Sequence, residues 1–247
     1  MDDRTDQLSL SLSGDVARLP RSLRPMLARP ADSAFDSDEH VFEPRWGGRR
    51  VLALIEPEPG RHARLTLLDE FGEDLAPRLP ELTVIADRVA DLPAILDGEI
   101  VIPDKSGRMD EDALARRLAD GEKLASIPVF LAFDLLWSAG RPIIAQPLLK
   151  RRERLARVVS PSSELVVLPG VVGDGLDLYS AVTQQGLRGV MARHLRSPYL
   201  PGRRSDLWRW IATQPGEMPL HVLPDPITAP PPRPPVLALI QRLPLDD

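Results

Sequence analysis

The chain of 247 residues contains no cysteine, which rules out disulfides and thiolate-bound metals. Lysine is nearly absent as well. Of 31 basic residues only Lys105, Lys123 and Lys150 are lysine, and the others are arginine. A guanidinium stays protonated at neutral pH, so it grips anions but cannot serve as an amine nucleophile. The four histidines, His40, His62, His194 and His221, are scattered without metal-ligand spacing. No apolar run approaches the length of a membrane span, and the opening MDDRTDQLSLSLSG is acidic and polar, unlike a signal peptide. A cytoplasmic protein with no membrane partner is the expectation. Strong charge is missing too. A net charge of −5 argues against wholesale nucleic-acid binding and leaves room for a local basic patch.

What is present is a core-forming composition, 43% apolar, in a chain long enough for one large domain or two small ones. Residues 1–22 read as a disordered or loosely attached segment and 23–213 as the folded domain. Residues 214–247 read as a Pro-rich tail, in which Pro230-Pro231-Pro232-Arg233-Pro234-Pro235 favours polyproline helix. Within the domain, residues 51–55 and 63–68 read as a hairpin across a Glu-Pro-Glu-Pro-Gly turn. Residues 80–92 have helical spacing, with Leu82, Ile85, Ala86 and Val89 on one face. Residues 94–102 read as a strand interrupted by Asp97-Gly98-Glu99, a charged triplet expected to aim into a cleft. Residues 129–137 (VFLAFDLLW) fit a strand buried on both faces, with Asp134 its lone charge. A basic helix is expected over 147–158, another helix over 176–185, and short strands at 164–168, 190–193 and 207–211.

The stretch VFEPRWGGRRVLALI, residues 41–55, organises the rest. Gly47-Gly48 permits a tight loop that feeds a strand and brings Glu43, Arg45 and Arg50 to its mouth. Six further segments follow in order: Asp69-Glu70-Phe71-Gly72, then Asp97-Gly98-Glu99, then Phe133-Asp134-Leu135-Leu136. After them come Gly186-Leu187-Arg188-Gly189 running on to Arg193, Ser197-Pro198-Tyr199-Leu200-Pro201-Gly202-Arg203-Arg204-Ser205, and Trp208-Arg209-Trp210-Ile211-Ala212. In this order they resemble the motifs of the nucleotidyltransferase (adenylation) domain of ATP-dependent DNA ligases, especially the bacterial end-joining type. The resemblance spans roughly residues 24 to 213.

That resemblance implies an α+β fold, ATP-grasp-like, with two mainly antiparallel sheets and flanking helices around a nucleotide cleft. Too few residues follow Pro215 to build the OB-fold domain that usually comes next in the family. By position, Glu43, Arg45, Arg50, Glu99, Phe133 and Arg193 would face the nucleotide, and Glu99 would touch ribose or a metal. Phe133 either stacks on adenine or simply packs in the core. ATP and Mg2+ are cofactors by resemblance alone.

The departures fall on the chemistry. Arg45 stands where the family has the lysine that takes up AMP, and Gly47 where it has an aspartate. Glu70 replaces an arginine, Arg188 a metal-binding glutamate, and Arg193 a lysine. Trp210 and Ala212 replace two phosphate-gripping lysines. No catalytic residue is therefore assigned. The expectation is an inactive paralogue that binds ATP or AMP, nicked or broken duplex DNA, or a DNA-repair protein. The competing reading is a working ligase that forms lysyl-AMP. Arg188 is expected to point to solvent, to pair with Glu99 or Glu70, or to hold phosphate in a metal's place. Glu70 is expected to pair with Arg45 or Arg188. Arg151 and Arg152 with Arg203 and Arg204 form either a surface for DNA phosphates or a solvated face with internal ion pairs.

Overall fold

The computed structural model describes residues 19–105, 107–122 and 126–214, so Lys123 and the Pro-rich tail from residue 215 lie outside it. In chain order the main elements are β1 (Leu27–Pro30), β2 (Ser37–Arg45), β3 (Arg49–Glu56), β4 (Arg64–Asp69), β5 (Ala94–Val101) and α1 (Glu111–Asp120). They continue with β6 (Val129–Ser138), β7 (Arg141–Pro142), α2 (Leu148–Val158), β8 (Leu165–Val167), β9 (Val171–Gly173), α3 (Gly175–Gln184), β10 (Gly189–His194) and β11 (Arg204–Ala212).

The strands make two sheets, one ordered β1-β11-β10-β2-β9 and the other β4-β3-β5-β6-β7, with β8 paired to β6. All pairings are antiparallel except β1 with β11 and β6 with β8. The α+β reading therefore holds, and no further barrel domain occurs among the described residues.

Side-chain alternation explains the layers. In β3, Leu52 and Leu54 face the other sheet, while Val51, Ala53 and Ile55 face outward onto helices. Both faces are covered, which is why the run is apolar throughout. Between the sheets lie Met26, Ile95, Phe133, Leu136, Tyr199 and Trp208, all buried. The outer face of the five-stranded sheet is covered by α3, against Phe42, Val190 and Ile211. No helix among the described residues is long and apolar enough to cross a membrane.

Several local expectations change. Leu19, in the segment read as loose, is buried in the core between the sheets. Residues 80–92 contain a 3-10 helix, Pro80–Arg88, rather than an α-helix, still with Leu82, Ile85 and Ala86 inward. Asp97-Gly98-Glu99 does not interrupt β5, which runs through it with every residue buried. Strands β2 and β9 were not anticipated. As a result Glu43 and Arg45 belong to the five-stranded sheet, whereas Arg50 belongs to the other.

Candidate functional site

The motif residues meet in the cleft between the two sheets. On the six-stranded wall, Asp97 and Glu99 are two apart on β5 and so share a face. Arg50, opposite Glu99 in register, clamps Asp97 with two bonds of 3.0 and 2.6 Å and donates a third, 2.6 Å, to the Met26 carbonyl. The Tyr199 hydroxyl donates to Asp97 at 2.6 Å and accepts from the Met26 amide at 2.9 Å. Burial opposes the Arg50 charge, but the Asp97 carboxylate outweighs it and raises the Arg50 pKa. Burial, reinforced by the Asp97 charge, pushes the Tyr199 hydroxyl well above its ordinary value, so it stays a donor. This network joins β3, β5, the Tyr199 loop and the segment before β1.

Behind it, Asp134 takes two bonds from Arg151, at 2.8 and 2.7 Å, with both side chains fully buried. Burial pushes the Asp134 carboxyl up, and the Arg151 bonds oppose that rise. Arg151 also donates to the carbonyls of Gln146 and Ser197. It is thus committed inside the fold rather than presented to a DNA backbone. The signal was legible, since Leu148, Arg151, Leu155 and Val158 fall on one face of α2.

Arg152 likewise points inward. It pairs with Glu43, 109 residues away, and donates to the carbonyls of Phe133 and Leu168. Of the four arginines grouped as a phosphate surface, Arg203 is exposed and Arg204 donates to the Ala28 carbonyl. The structure does not bring these two together with Arg151 and Arg152 on one face.

The five-stranded wall is built from β2, β10 and β11 in register. One row across it is Val41, Arg193 and Trp208, and the next is Glu43, Met191 and Trp210. Glu43, fully buried, is shared by Arg152 and Arg193. The Arg193 guanidinium lies 4.1 Å from the centre of the Phe133 ring and 4.8 Å from that of Trp208. Burial pushes Arg193 down to about 9, so it remains charged at neutral pH. On the same ring the Arg50 guanidinium lies 5.4 Å from the centre. Phe133 is therefore packed in the core and carries two stacked cations.

Arg45 takes a different partner. Gly189, directly across from it, has no side chain, and a Cβ there would come within 2.6 Å of the Trp210 ring. Trp210 uses this room and meets the Arg45 guanidinium at 5.2 Å. The remaining cavity is about 30 Å3, lined by Arg45, Arg50, Glu99, Phe133, Met191 and Arg193 among others. Ordinary small-molecule sites measure about 300–1,000 Å3. One oxygen of Glu99, Oε1, is buried there without a hydrogen-bond partner.

Two expected ion pairs are replaced by others. Arg188 pairs with Glu111 at the start of α1, at 2.7 and 2.5 Å, and not with Glu99 or Glu70. Glu70 pairs with Arg49 at 3.3 Å, not with Arg45 or Arg188. Gly47, at φ +82°, sits against both Glu111 and Arg188, so the Arg188–Glu111 bridge braces the β2–β3 loop. Glu111 and the role of Tyr199 were missed from the sequence.

Two facing sheets with this order of cleft motifs define the class of adenylation domains. Comparison with known proteins specifies it further. The profile of the ATP dependent DNA ligase domain matches residues 25–211. The multifunctional non-homologous end joining protein LigD of Mycobacterium bovis is 32% identical over 188 residues, which is 76% of this chain and 23% of that one. The SPbeta prophage-derived DNA ligase-like protein LigB of Bacillus subtilis is 25% identical over 74% of this chain and 65% of its own. A mycobacterial DNA ligase D solved with ATP and MES shares 30% identity and a TM-score of 0.67, covering 79% of this chain and 62% of that one. The chain belongs to the ATP-dependent DNA ligase family, as an adenylation-type domain related to LigD. It spans about a quarter of the length of the LigD proteins it matches.

The family implies ATP and a divalent metal, and the residues present do not fit them. The face of Phe133 that the resemblance would set against a base is covered by Arg193, and Arg45 offers no lone pair. Glu99 is the one acid lining the cavity, and Glu43 is tied to two arginines. Among the described residues no group of three or more His, Asp or Glu is placed to hold a metal ion.

Proposed function

We propose that this domain does not form a covalent adenylate and acts as a non-catalytic module in DNA end repair, binding a DNA end or a repair partner. The observation that carries the reading is Arg45, a guanidinium stacked on Trp210 at the position of the family's nucleophilic lysine. Attack on the α-phosphate of ATP requires an amine with a usable lone pair, in line with the leaving group. Neither of the lysines with described positions compensates. Lys150 pairs with Glu153 at 2.9 Å on α2, and Lys105 follows β5; neither lines the cleft cavity.

The packing around Phe133 points the same way for the nucleotide. Stacking a base on Phe133 is worth about 1 kcal/mol. To gain it a base would have to displace Arg193 from both the ring and buried Glu43. The role in end repair rests on the relatives, whose names describe non-homologous end joining.

The test is intact-mass measurement after incubation with ATP and Mg2+. An unchanged mass is expected, and an AMP adduct would restore the reading as a working ligase. A gel shift on nicked and blunt-ended duplex addresses the DNA partner. Binding that weakens steeply with salt is expected for phosphate contacts, and no shift at low salt would leave a protein partner.

A further inference from the structure

We infer that Arg193 is a built-in gate, a side chain lodged in a nucleoside-shaped slot that it holds closed against the ligand. The inference rests on the non-catalytic reading and adds the residue that enforces it. The shape of the slot is set by its present occupant. A guanidinium is flat, and this one lies over the Phe133 ring at 4.1 Å, so the space it fills is planar. Leu168 and Met191 supply apolar walls to the same cavity.

Glu99 and Arg45 also line this cavity. Glu99 Oε1 is buried without a hydrogen-bond partner and calls for a donor such as a sugar hydroxyl or a ring amine. Arg45 has a stacked ring but no carboxylate partner among the described residues. An aromatic floor, apolar walls and one unsatisfied acceptor describe a site for a nucleoside. Arg193 is the group that lies closest over that floor, nearer than Arg50.

The gate is removable without leaving a bare charge. Glu43 is held by Arg152 as well, so truncating Arg193 still leaves that carboxylate an ion-pair partner. Adenosine is the probe, because it has no phosphate for other arginines to attract. Its binding to the full chain is measured by titration calorimetry for the wild type, Arg193→Ala and Arg193→Lys. The lysine variant keeps the charge beside Glu43 but lacks the flat group over Phe133, and it serves if the alanine variant does not fold.

The expected result is no measurable heat from the wild type and binding by the variants, tighter by about tenfold or more. Adding Phe133→Ala to the alanine variant should abolish that gain. Wild-type binding as tight as the variants', or no binding by any folded variant, would overturn the gate. An AMP adduct on the wild type would instead overturn the non-catalytic reading, so the two failures are distinguishable.

Discussion

The two walls of the cleft differ in what they keep. The six-stranded wall keeps motif residues and satisfies most of them: Arg50 clamps Asp97, Tyr199 from the loop before β11 caps the pair, and Arg151 holds Asp134, while Glu99 keeps one unpaired oxygen. The five-stranded wall and the residue entering it carry most of the substitutions, Arg45 on β2, Arg188 before β10, Arg193 on β10 and Trp210 on β11. Glu70, in the turn after β4, is the exception on the other side. Retained Asp97, Tyr199 and Asp134 hold elements together through hydrogen bonds. Two of the altered side chains stack on rings instead, Arg45 on Trp210 and Arg193 on the retained Phe133 of the opposite wall. Most of the departures thus collect on one sheet, with Glu70 and Gly47 outside it.

The contrast is sharpest in stability. Asp134→Ala leaves Arg151 buried and unpaired and should cost about 3–5 kcal/mol in urea unfolding. A loss below about 1 kcal/mol would mean that the retained wall is not held by this pair. Tyr199→Phe removes the donor to Asp97 and the acceptor for the Met26 amide, so about 1–3 kcal/mol should be lost. On the altered wall the same kind of truncation should matter little. Arg45→Ala forfeits one partly exposed stack on Trp210, about 0.5–1 kcal/mol. An effect as large as that of Asp134→Ala would erase the distinction between the walls.

The smallest effect concerns pH. His40 lies on β2 with its ring 5.1 Å from that of His194. Burial first, then the charge on His194, lowers its pKa from an ordinary value of about 6.5. The folded state therefore favours the neutral ring, and the unfolded chain binds more protons as pH falls. Its contribution is fully present above about 6.5 and fades as pH drops through that value toward the folded one. The thermal midpoint should decline less in His40→Gln than in the wild type between about pH 7 and pH 5, and parallel declines would remove His40 from the account.

Much of the six-stranded wall was legible because its signals are local. VLALI and VFLAFDLLW announce strands covered on both faces, and the α2 pattern announces a helix. Strand β2, SDEHVFEPR, was not legible, since five of its nine residues are charged or histidine and its pairing with β10 supplies what its composition does not. The altered wall was readable as a set of substitutions but not as an arrangement. Arg188 finds Glu111 across 77 residues and Arg152 finds Glu43 across 109, and no spacing rule reports contacts at that range. Asp97-Gly98-Glu99 was correctly expected to face a cleft. That one carboxylate would be clamped and the other left with an unpaired oxygen depends on Arg50 and Tyr199 arriving from elsewhere.

The altered wall as a whole, and not the missing lysine alone, should bar adenylation. Arg45→Lys returns the amine while leaving Arg193 over Phe133 and Arg188 paired with Glu111. Intact-mass measurement of that variant after incubation with ATP and Mg2+ should show the mass of the unmodified polypeptide. A covalent AMP on the introduced amine would contradict the claim and reduce the difference between the walls to a single side chain.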